Sequence, residues 1–368
     1  MELENSSKNS KFMLEATKLA KKGSFSTSPN PNVGCVIVHK DKIISKGYHI
    51  KSGCEHAEIN ALKNFKPKIH RNSKLYVTLE PCSFTGKTGP CVNEIVKSGI
   101  KEVIIGSKDP NPKVNGKGIS FLKKHGIKVK TGVLKKTCED LNKGFNKRMI
   151  FNLPYVTLKS ALSTNNMISS KKSKWISNAK SRKDVQFLRA LSCGILTSSD
   201  TIINDNPKLN VRLKRKELHI NTKVRQPIVF ILDTNLKIKK NKYKLFKDSR
   251  KKVIFNRKKN ANDEKNNIVY RKVKSSKNGI SLKEVLKIMA KEFYINNLLV
   301  EAGQKVFTEF LSKNLYDEII IYKSSTVKSK GGIKYINENL LKNNKKINFF
   351  LNAVNFFDKD IKISFKKK

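Results

Sequence analysis

The stretch Leu75-Tyr76-Val77-Thr78-Leu79-Glu80-Pro81-Cys82 decides how this chain is read. An apolar strand ends there on Pro-Cys. His56-Ala57-Glu58 precedes it at the start of a segment with helical spacing, and Cys91 follows at the start of another. One imidazole and two thiols, each at a helix start behind a strand, make a three-ligand set for Zn2+, with Zn–S near ~2.3 Å and Zn–N near ~2.0 Å. Three protein ligands leave a fourth position for water, the mark of a catalytic rather than a structural zinc. Helix N-termini also favour thiolates, because their unpaired N–H groups carry partial positive charge. Glu58, just past His56 in sequence, can reach that water without binding metal itself.

Working outward, residues 12–22 have helical spacing and stop at Gly23. Residues 33–38 and 42–48 read as strands joined by a tight turn, followed by a helix over 56–65 and a strand over 75–79. Helices over 92–98 and 119–125 alternate with strands over 102–106 and 128–132. That alternation predicts an α/β layer sandwich. Residues 138–151 form a basic helical connector, and Pro154 opens a second block. There the pattern predicts strands at 155–160, 195–197, 227–232, 297–301 and 317–322, with helices at 180–191, 281–293 and 303–311. Residues 239–280 read as polar surface loops around short strands, and the last forty residues as Lys/Asn-rich with short β-like runs. We therefore expect two α/β domains, 1–150 and 151–368, with the break near 148–154 and no internal repeat.

A length of 368 residues suits two domains, and 38% hydrophobic residues suffice for a core in each. The longest apolar run, Ile228–Leu232, is far short of the ~20 residues of a membrane span. The N-terminus lacks the basic-then-apolar pattern of a secretory signal, so a cytoplasmic protein is expected. Six cysteines then argue for thiolate or metal chemistry rather than a disulfide framework. The formal charge is +49, yet only 10 of the 78 basic residues are Arg, the residue best suited to bidentate phosphate and base contacts. A Lys-rich solvated surface is the plainer reading. It predicts no nucleic-acid or membrane partner, while still attracting anionic small substrates.

H-x-E followed by P-C and a second Cys is the zinc-deaminase signature; the other reading is a core His with two buried Cys. Eight residues separate Cys82 from Cys91, where common cytidine and tRNA-adenosine deaminases have two. Taken with Asn30-Pro31-Asn32-Val33-Gly34-Cys35, Thr78-Leu79-Glu80-Pro81-Cys82, Asp109-Pro110-Asn111-Pro112 and Leu141-Asn142-Lys143-Gly144-Phe145, the chain resembles the bifunctional riboflavin-biosynthesis deaminase–reductases. Pro154-Tyr155-Val156-Thr157-Leu158-Lys159, Leu188-Arg189-Ala190, Asn206-Pro207 and Val300-Glu301-Ala302-Gly303 extend the resemblance to about residue 325.

The resemblance implies a cytidine-deaminase-like domain followed by a dihydrofolate-reductase-like domain. The first would remove an amino group from a diaminopyrimidinone ribosyl phosphate, and the second would reduce the ribosyl chain to ribityl with NADPH. It implies zinc on His56, Cys82 and Cys91 and proton transfer by Glu58. It places Ala161, Trp175, Thr201, Asp205 and the run Gly303, Gln304, Lys305, Val306, Phe307, Thr308 and Glu309 on NADPH. Ser173, Arg189, Leu209, Arg212 and Glu301 would face the substrate. The chain departs from the family pattern at Phe84, Gly89, Asn165 and Asn166. Asn30 and Asn32 read either as amides for the pyrimidine edge or as turn residues around Pro31.

Two other readings stay open on sequence alone. One is a deaminase whose second half has lost reductase activity, suggested by Asn165-Asn166. The other is a nucleoside or tRNA deaminase with a basic, RNA-binding second half. A homo-oligomer is compatible with all three.

Overall fold

The structure is a computed structural model and describes residues 2–70, 72–85, 89–169, 176–276, 279–327, 332–337 and 348–367. Two compact units account for the chain. One comprises Met1–Asn152 and Arg215–Val224, the other Leu153–Lys214 and Arg225–Lys368. The short excursion at Arg215–Val224 is not marked by any sequence pattern.

In the first unit a five-stranded sheet comprises β1 (Gly34–His39), β2 (Lys42–Tyr48), β3 (Lys74–Leu79), β4 (Glu102–Ser107) and β5 (Lys128–Thr131). Its order is β2-β1-β3-β4-β5, antiparallel through β1 and parallel from β3 to β5. Helices α1 (Glu2–Lys21), α2 (Ala57–Leu62), α3 (Cys91–Lys97), α4 (Lys117–Lys124), α5 (Lys135–Asp140) and α6 (Lys143–Phe151) complete it. Strands covered on both faces must be apolar throughout, and the alternation of side chains then sorts them into two cores. Cys35, Ile37, Leu75, Val77, Val103 and Ile105 pack on α2, α3 and α4. Val36, Val38, Tyr76 and Ile104 pack with Phe12, Met13 and Ala16 of α1 and Cys138 of α5. This is the α/β/α sandwich that the sequence predicts, with α1 beginning earlier than its apolar spacing.

The second unit holds β6 (Tyr155–Leu162), β7 (Met167–Ser169), α7 (Ala179–Leu191), β8 (Gly194–Ser198) and α8 (Ser199–Asp205). After α9 (Arg215–Leu218), which belongs to the first unit, come β9 (Ile228–Leu232), β10 (Lys252–Asn256), β11 (Ala261–Asp263) and β12 (Ile268–Lys272). The chain ends with β13 (Ser275–Ser276), β14 (Gly279–Ile280), α10 (Leu282–Glu292), β15 (Asn297–Val300), α11 (Gln304–Ser312), β16 (Glu318–Lys323), β17 (Ile333–Lys334), β18 (Phe349–Phe357) and β19 (Asp360–Lys367). Ten of these strands form one sheet in the order β11-β12-β10-β9-β8-β15-β6-β16-β19-β18. Its centre is parallel, and only β11, β19 and β18 run antiparallel to their neighbours. One face packs on α10 and α11 through Leu158, Phe230, Phe255, Met289 and Phe310, and the other carries Ile195, Val229, Ile231, Ile254 and Leu299.

Two stretches differ from the sequence expectation. Within 239–280, β10 is a fully buried strand, and its first residue Lys252 is buried too because the ammonium is held by Asp248. A five-residue core run is hard to see among flanking Lys and Asn. The last forty residues include a long hairpin, β18–β19, rather than short runs.

Gly47 on β2 sets how closely α2 sits. A Cβ there would lie 2.2 Å from the Ala57 carbonyl oxygen and 2.4 Å from the Ala61 nitrogen. Gly47→Ala should therefore push α2 off the sheet and destabilise the first unit by about 1–3 kcal/mol, the usual cost of overpacking. Thermal denaturation together with zinc content checks this; an unchanged melting curve would mean that α2 shifts freely.

Candidate metal centre and reductase cleft

β3 ends at Leu79, and the chain turns through Pro81 to present Cys82. His56 precedes α2 as its extended N-cap, with φ −77° and ψ 168°, and Cys91 is the first residue of α3 after the extended Pro90. The backbone geometry of two helix starts and one strand end thus converges three donor side chains. His56 Nδ1 lies 3.2 Å from Cys91 Sγ and 3.5 Å from Cys82 Sγ, and the Cys91 backbone N–H donates to Cys82 Sγ at 3.4 Å. The ligand atoms all lie within 4.8 Å of one another, the reach of one ion with bonds of ~2.0–2.3 Å. The two thiols share a proton: the hydrogen bond with Cys91 pulls the Cys82 thiol down to about 4, while the same bond and burial hold Cys91 up. Two sulfurs and an imidazole already competing for protons fit a borderline-soft dication, which takes the place of those protons. Glu58 is buried beside them, and burial pushes its carboxyl up to about 7. Cys35 lies in the core and Cys54 is exposed, both outside this group.

In the second unit β6 and β15 run parallel, with Leu158 opposite Val300. The next residues, Lys159 and Glu301, therefore emerge side by side. Arg189 on α7 grips Glu301 with two hydrogen bonds, Nε to Oε1 at 2.6 Å and Nη2 to Oε2 at 3.0 Å, and Lys159 Nζ stands 3.8 Å from Oε2. Burial would raise the Glu301 carboxyl, but Arg189 and Lys159 outweigh it and hold it below the usual carboxylate range. Burial lowers Lys159. Arg189 Nη1 also donates to the Asn210 carbonyl at 3.2 Å, whereas among the described residues the side chain of the exposed Arg212 bonds only Asn210 Oδ1, at 3.1 Å. Leu209, buried and left-handed at φ 47°, has its carbonyl clamped by Arg250 at 2.7 Å.

Two helix starts meet nearby. Ser198 caps α8, its Oγ lies 3.0 Å from Thr201 Oγ1, and Thr201 Oγ1 in turn accepts the Gly303 N–H at the start of α11, at 3.2 Å. A Cβ on Gly303 would meet only Thr201, at 4.0 Å. Adjacent helix N-termini with an open glycine suit the phosphates of a dinucleotide.

Two family models match the chain: the cytidine and deoxycytidylate deaminase zinc-binding region over residues 6–107, and the RibD C-terminal domain over 154–341. The riboflavin biosynthesis protein RibD of Buchnera aphidicola subsp. Baizongia pistaciae is 41% identical over 84% of this chain and 85% of its own. The chain belongs to the RibD family. Members are bifunctional deaminase–reductases of riboflavin biosynthesis, and both domain types are present here. A structure of Acinetobacter baumannii RibD superposes with a TM-score of 0.88 at 33% identity, covering 99% of each chain. A diaminohydroxyphosphoribosylamino-pyrimidine deaminase from Buchnera aphidicola subsp. Schizaphis graminum is 56% identical over 39% of this chain and 97% of its own.

Against the RibD expectations, the structure gathers His56, Cys82, Cys91 and Glu58 in one place, and Arg189, Arg212, Leu209 and Glu301 in another. Of the cofactor run, Gly303, Gln304 and Lys305 stay accessible, while Val306, Phe307, Thr308 and Glu309 are buried in or against the core. Ala161 lies on β6 opposite Tyr322, and Asp205 is exposed at the end of α8. Ser173 and Trp175 lie outside the described residues. Asn166 takes φ 60°, the left-handed conformation that a glycine would otherwise supply, with Ser163 bonding Asn165 and the Met167 N–H.

Several groups escape sequence reasoning. His49 is buried, its ring 5.3 Å from that of His56 and edge-on to it. Burial pushes it toward the neutral form, with Nδ1 3.0 Å from the Glu55 carbonyl and Nε2 3.1 Å from Asn30 Nδ2. A donating Nδ1–H then leaves Nε2 to accept from Asn30, which fixes that amide. Asn32 is bonded to Thr27 in its own loop and to Leu141 and Asn142 between α5 and α6, so its amide is engaged within the protein. Glu80 accepts N–H groups of Asp109, Gly116 and Ile119 at 3.0–3.3 Å, pinning the Asp109-Pro110-Asn111-Pro112 turn beside the end of β3.

Cys82→Ser removes one sulfur from the three-donor set. Metal analysis should find zinc in the wild-type chain and most of it missing from the variant, with deamination abolished. Unchanged zinc content in Cys82→Ser would overturn the ligand set.

Proposed function

We propose that residues 1–150 deaminate a diamino-ribosylamino-pyrimidinone 5′-phosphate and that residues 151–368 reduce the ribosyl chain of the product to ribityl with NADPH. The observation that carries this reading is the convergence of His56, Cys82 and Cys91 beside a buried Glu58, in a chain of the RibD family. His56, Cys82 and Cys91 would hold zinc, which as a Lewis acid makes water nucleophilic near neutral pH. Glu58 would carry one proton of the attacking water to the ring nitrogen, and then the proton of the new hydroxyl to the amino group, which leaves as ammonia while the carbonyl forms. Its burial favours this role, because a carboxyl poised near neutrality both accepts and returns a proton. Asn30, oriented by His49, offers an amide edge to the pyrimidine.

In the second half NADPH supplies the hydride, and the chain orients the two reactants. Thr201 and the open side of Gly303 would hold the cofactor's phosphates, with Ala161, Asp205, Gln304 and Lys305 as further candidate contacts. Arg189 is committed to Glu301, so it acts by holding that carboxylate, and the exposed Arg212 is the arginine left for the substrate phosphate. Glu301 and Lys159 stand as a carboxylate and an ammonium side by side, able to hold and move a proton as the ribosyl ring opens. The free cysteines and the pyridine nucleotide both suit a reducing cytoplasm.

The deciding experiment supplies the diaminopyrimidinone substrate with and without NADPH and identifies the products by mass. Deaminated product alone without NADPH, and ribityl product with it, is the expected result. An idle second half would instead leave the deaminated product in both.

Glu58→Gln keeps the shape and the ligands but carries no proton. It should bind zinc normally, lose deamination by orders of magnitude, and still reduce the deaminated intermediate when given it. The two arginines should differ. Arg212→Ala should raise the reductase KM by the loss of a charge-assisted bond of about 1.5–3 kcal/mol without unfolding the domain. Arg189→Ala strands a buried carboxylate, a change that typically costs about 3–5 kcal/mol, so it should lower both stability and reductase turnover. Deamination should be untouched in each, and equal stability of the two variants would refute this division of labour.

A further inference from the structure

After α8 the chain runs through Asn206-Pro207-Lys208-Leu209-Asn210-Val211-Arg212 with no helix or strand of its own. A loop of this kind ordinarily leaves its backbone groups to water. Here side chains from elsewhere in the second unit take them. Gln186 Oε1 accepts the Arg212 N–H at 3.1 Å, and Arg189 Nη1 donates to the Asn210 carbonyl at 3.2 Å. Gln186 and Arg189 stand one helical turn apart on the same side of α7, and both are buried. Gln226, just before β9, meets Val211 as a neighbouring strand would. Its Oε1 accepts the Val211 N–H and its Nε2 donates to the Val211 carbonyl, both at 2.9 Å. Arg250, just before β10, donates from Nη1 to the Leu209 carbonyl at 2.7 Å and from Nη2 to the Lys208 carbonyl at 2.5 Å.

The clamps are themselves fixed. Arg250 has a side chain only 8% exposed, and its Nε and Nη2 also donate to Asp248 Oδ2, at 3.0 and 2.7 Å. The backbone they hold is strained. Leu209 sits at φ 47°, with its side chain packed among Ile195, Ile202 and Val229. A leucine keeps a left-handed backbone only where its surroundings dictate it. Strain and clamps thus fall on the same short run, and that run ends at Arg212. The Arg212 N–H is held by Gln186 while its side chain stays exposed. Partial desolvation and the like charge of Arg189 pull its guanidinium down, and Glu301 opposes them, so Arg212 lies within electrostatic reach of the reductase cleft.

We infer that Gln186, Gln226 and Arg250 are positioning residues of the reductase, which hold residues 208–212 so that Arg212 meets the substrate phosphate from a fixed backbone. The inference rests on the reading of Arg212 as the phosphate contact. An arginine side chain already has much rotamer freedom to lose when it binds. On a slack loop the freedom of the backbone would be lost at the same moment, and affinity would fall accordingly. The clamps impose that order before substrate arrives. Their effect therefore belongs to substrate binding. Hydride transfer, set by the cofactor, Lys159 and Glu301, does not depend on them. Arg189 is a different case, because its grip on Glu301 joins it to the reacting end of the cleft as well. The near end of the loop has its own anchor: Asn206 Oδ1 accepts the Lys244 N–H at 2.8 Å, which separates α8 and Thr201 from any slackening further on.

Steady-state reduction of the deaminated intermediate by the full zinc-loaded chain, at saturating NADPH, separates KM from kcat. Gln226→Ala and Gln186→Leu should each raise the substrate KM roughly three- to tenfold, as the loss of one or two hydrogen bonds implies, with kcat held within about twofold. The KM for NADPH and the rate of deamination should not move. The intermediate stripped of its 5′-phosphate should be reduced equally, if poorly, by wild type and variants. In an Arg212→Ala background Gln226→Ala should add nothing, because the contact that it positions is gone. Gln226 is exposed, so its variant carries the test even if Gln186→Leu unfolds the domain, which thermal denaturation reports. Suppose Arg212→Ala raises KM while Gln226→Ala does not, or the Gln226→Ala effect persists in full without Arg212. The loop is then merely structural, and the inference fails while the phosphate contact stands. A KM indifferent to Arg212→Ala would instead sink the phosphate contact and the inference with it.

Discussion

Strands buried on both faces leave little room for charged side chains along their length, and this constraint shapes both halves of the molecule. β3, β4, β8 and β15 are buried almost throughout, so reactive side chains gather mainly where such strands end. In the first unit the end of β3 hands over to Cys82, with two helix starts beside it. In the second, β15 ends just before Glu301, and its parallel pairing with β6 sets that residue beside Lys159, which lies within β6. The same rule thus yields a soft metal-binding set in one place and an ion cluster in the other.

The two sites solve the problem of buried charge differently. Taking an ion out of water costs several kcal/mol even after relaxation. At the metal centre three donors share protons, a condition that a bound cation relieves. At the reductase cleft Glu301 is matched by Arg189 and Lys159 within the protein itself. Such a cluster contributes little to net stability, because the attraction mainly repays desolvation. What it supplies is a fixed carboxylate orientation, set by the two-pronged contact from α7. The hairpin end supports that helix in turn, since Asp360 accepts the N–H of its cap residue Asn178. Arg250 does comparable work on the loop that carries Leu209, holding its backbone carbonyls.

How far the residues could be read in advance varied with the length of chain that a role involves. His56, Glu58, Cys82 and Cys91 stand in one compact pattern, and local rules for helix starts already place them together. Asn165-Asn166 looked like a loss, yet Asn tolerates the left-handed turn that the position requires, and Asn166 adopts it. By contrast, nothing near His49 in sequence hints at Asn30 or His56 as its neighbours. Arg189 looked free to bind phosphate until Glu301, over a hundred residues away, claimed it. The run after Gly303 could not be divided into accessible and buried residues without knowing which side of α11 meets the sheet.

The sequence by itself determined the α/β class of both halves and singled out His56, Glu58, Cys82 and Cys91 as one group, because apolar periodicity and ligand spacing are local properties. Tertiary structure alone decided the partner of each buried charge and the burial of Lys252. Those outcomes depend on strand order and register, which join residues far apart in the chain.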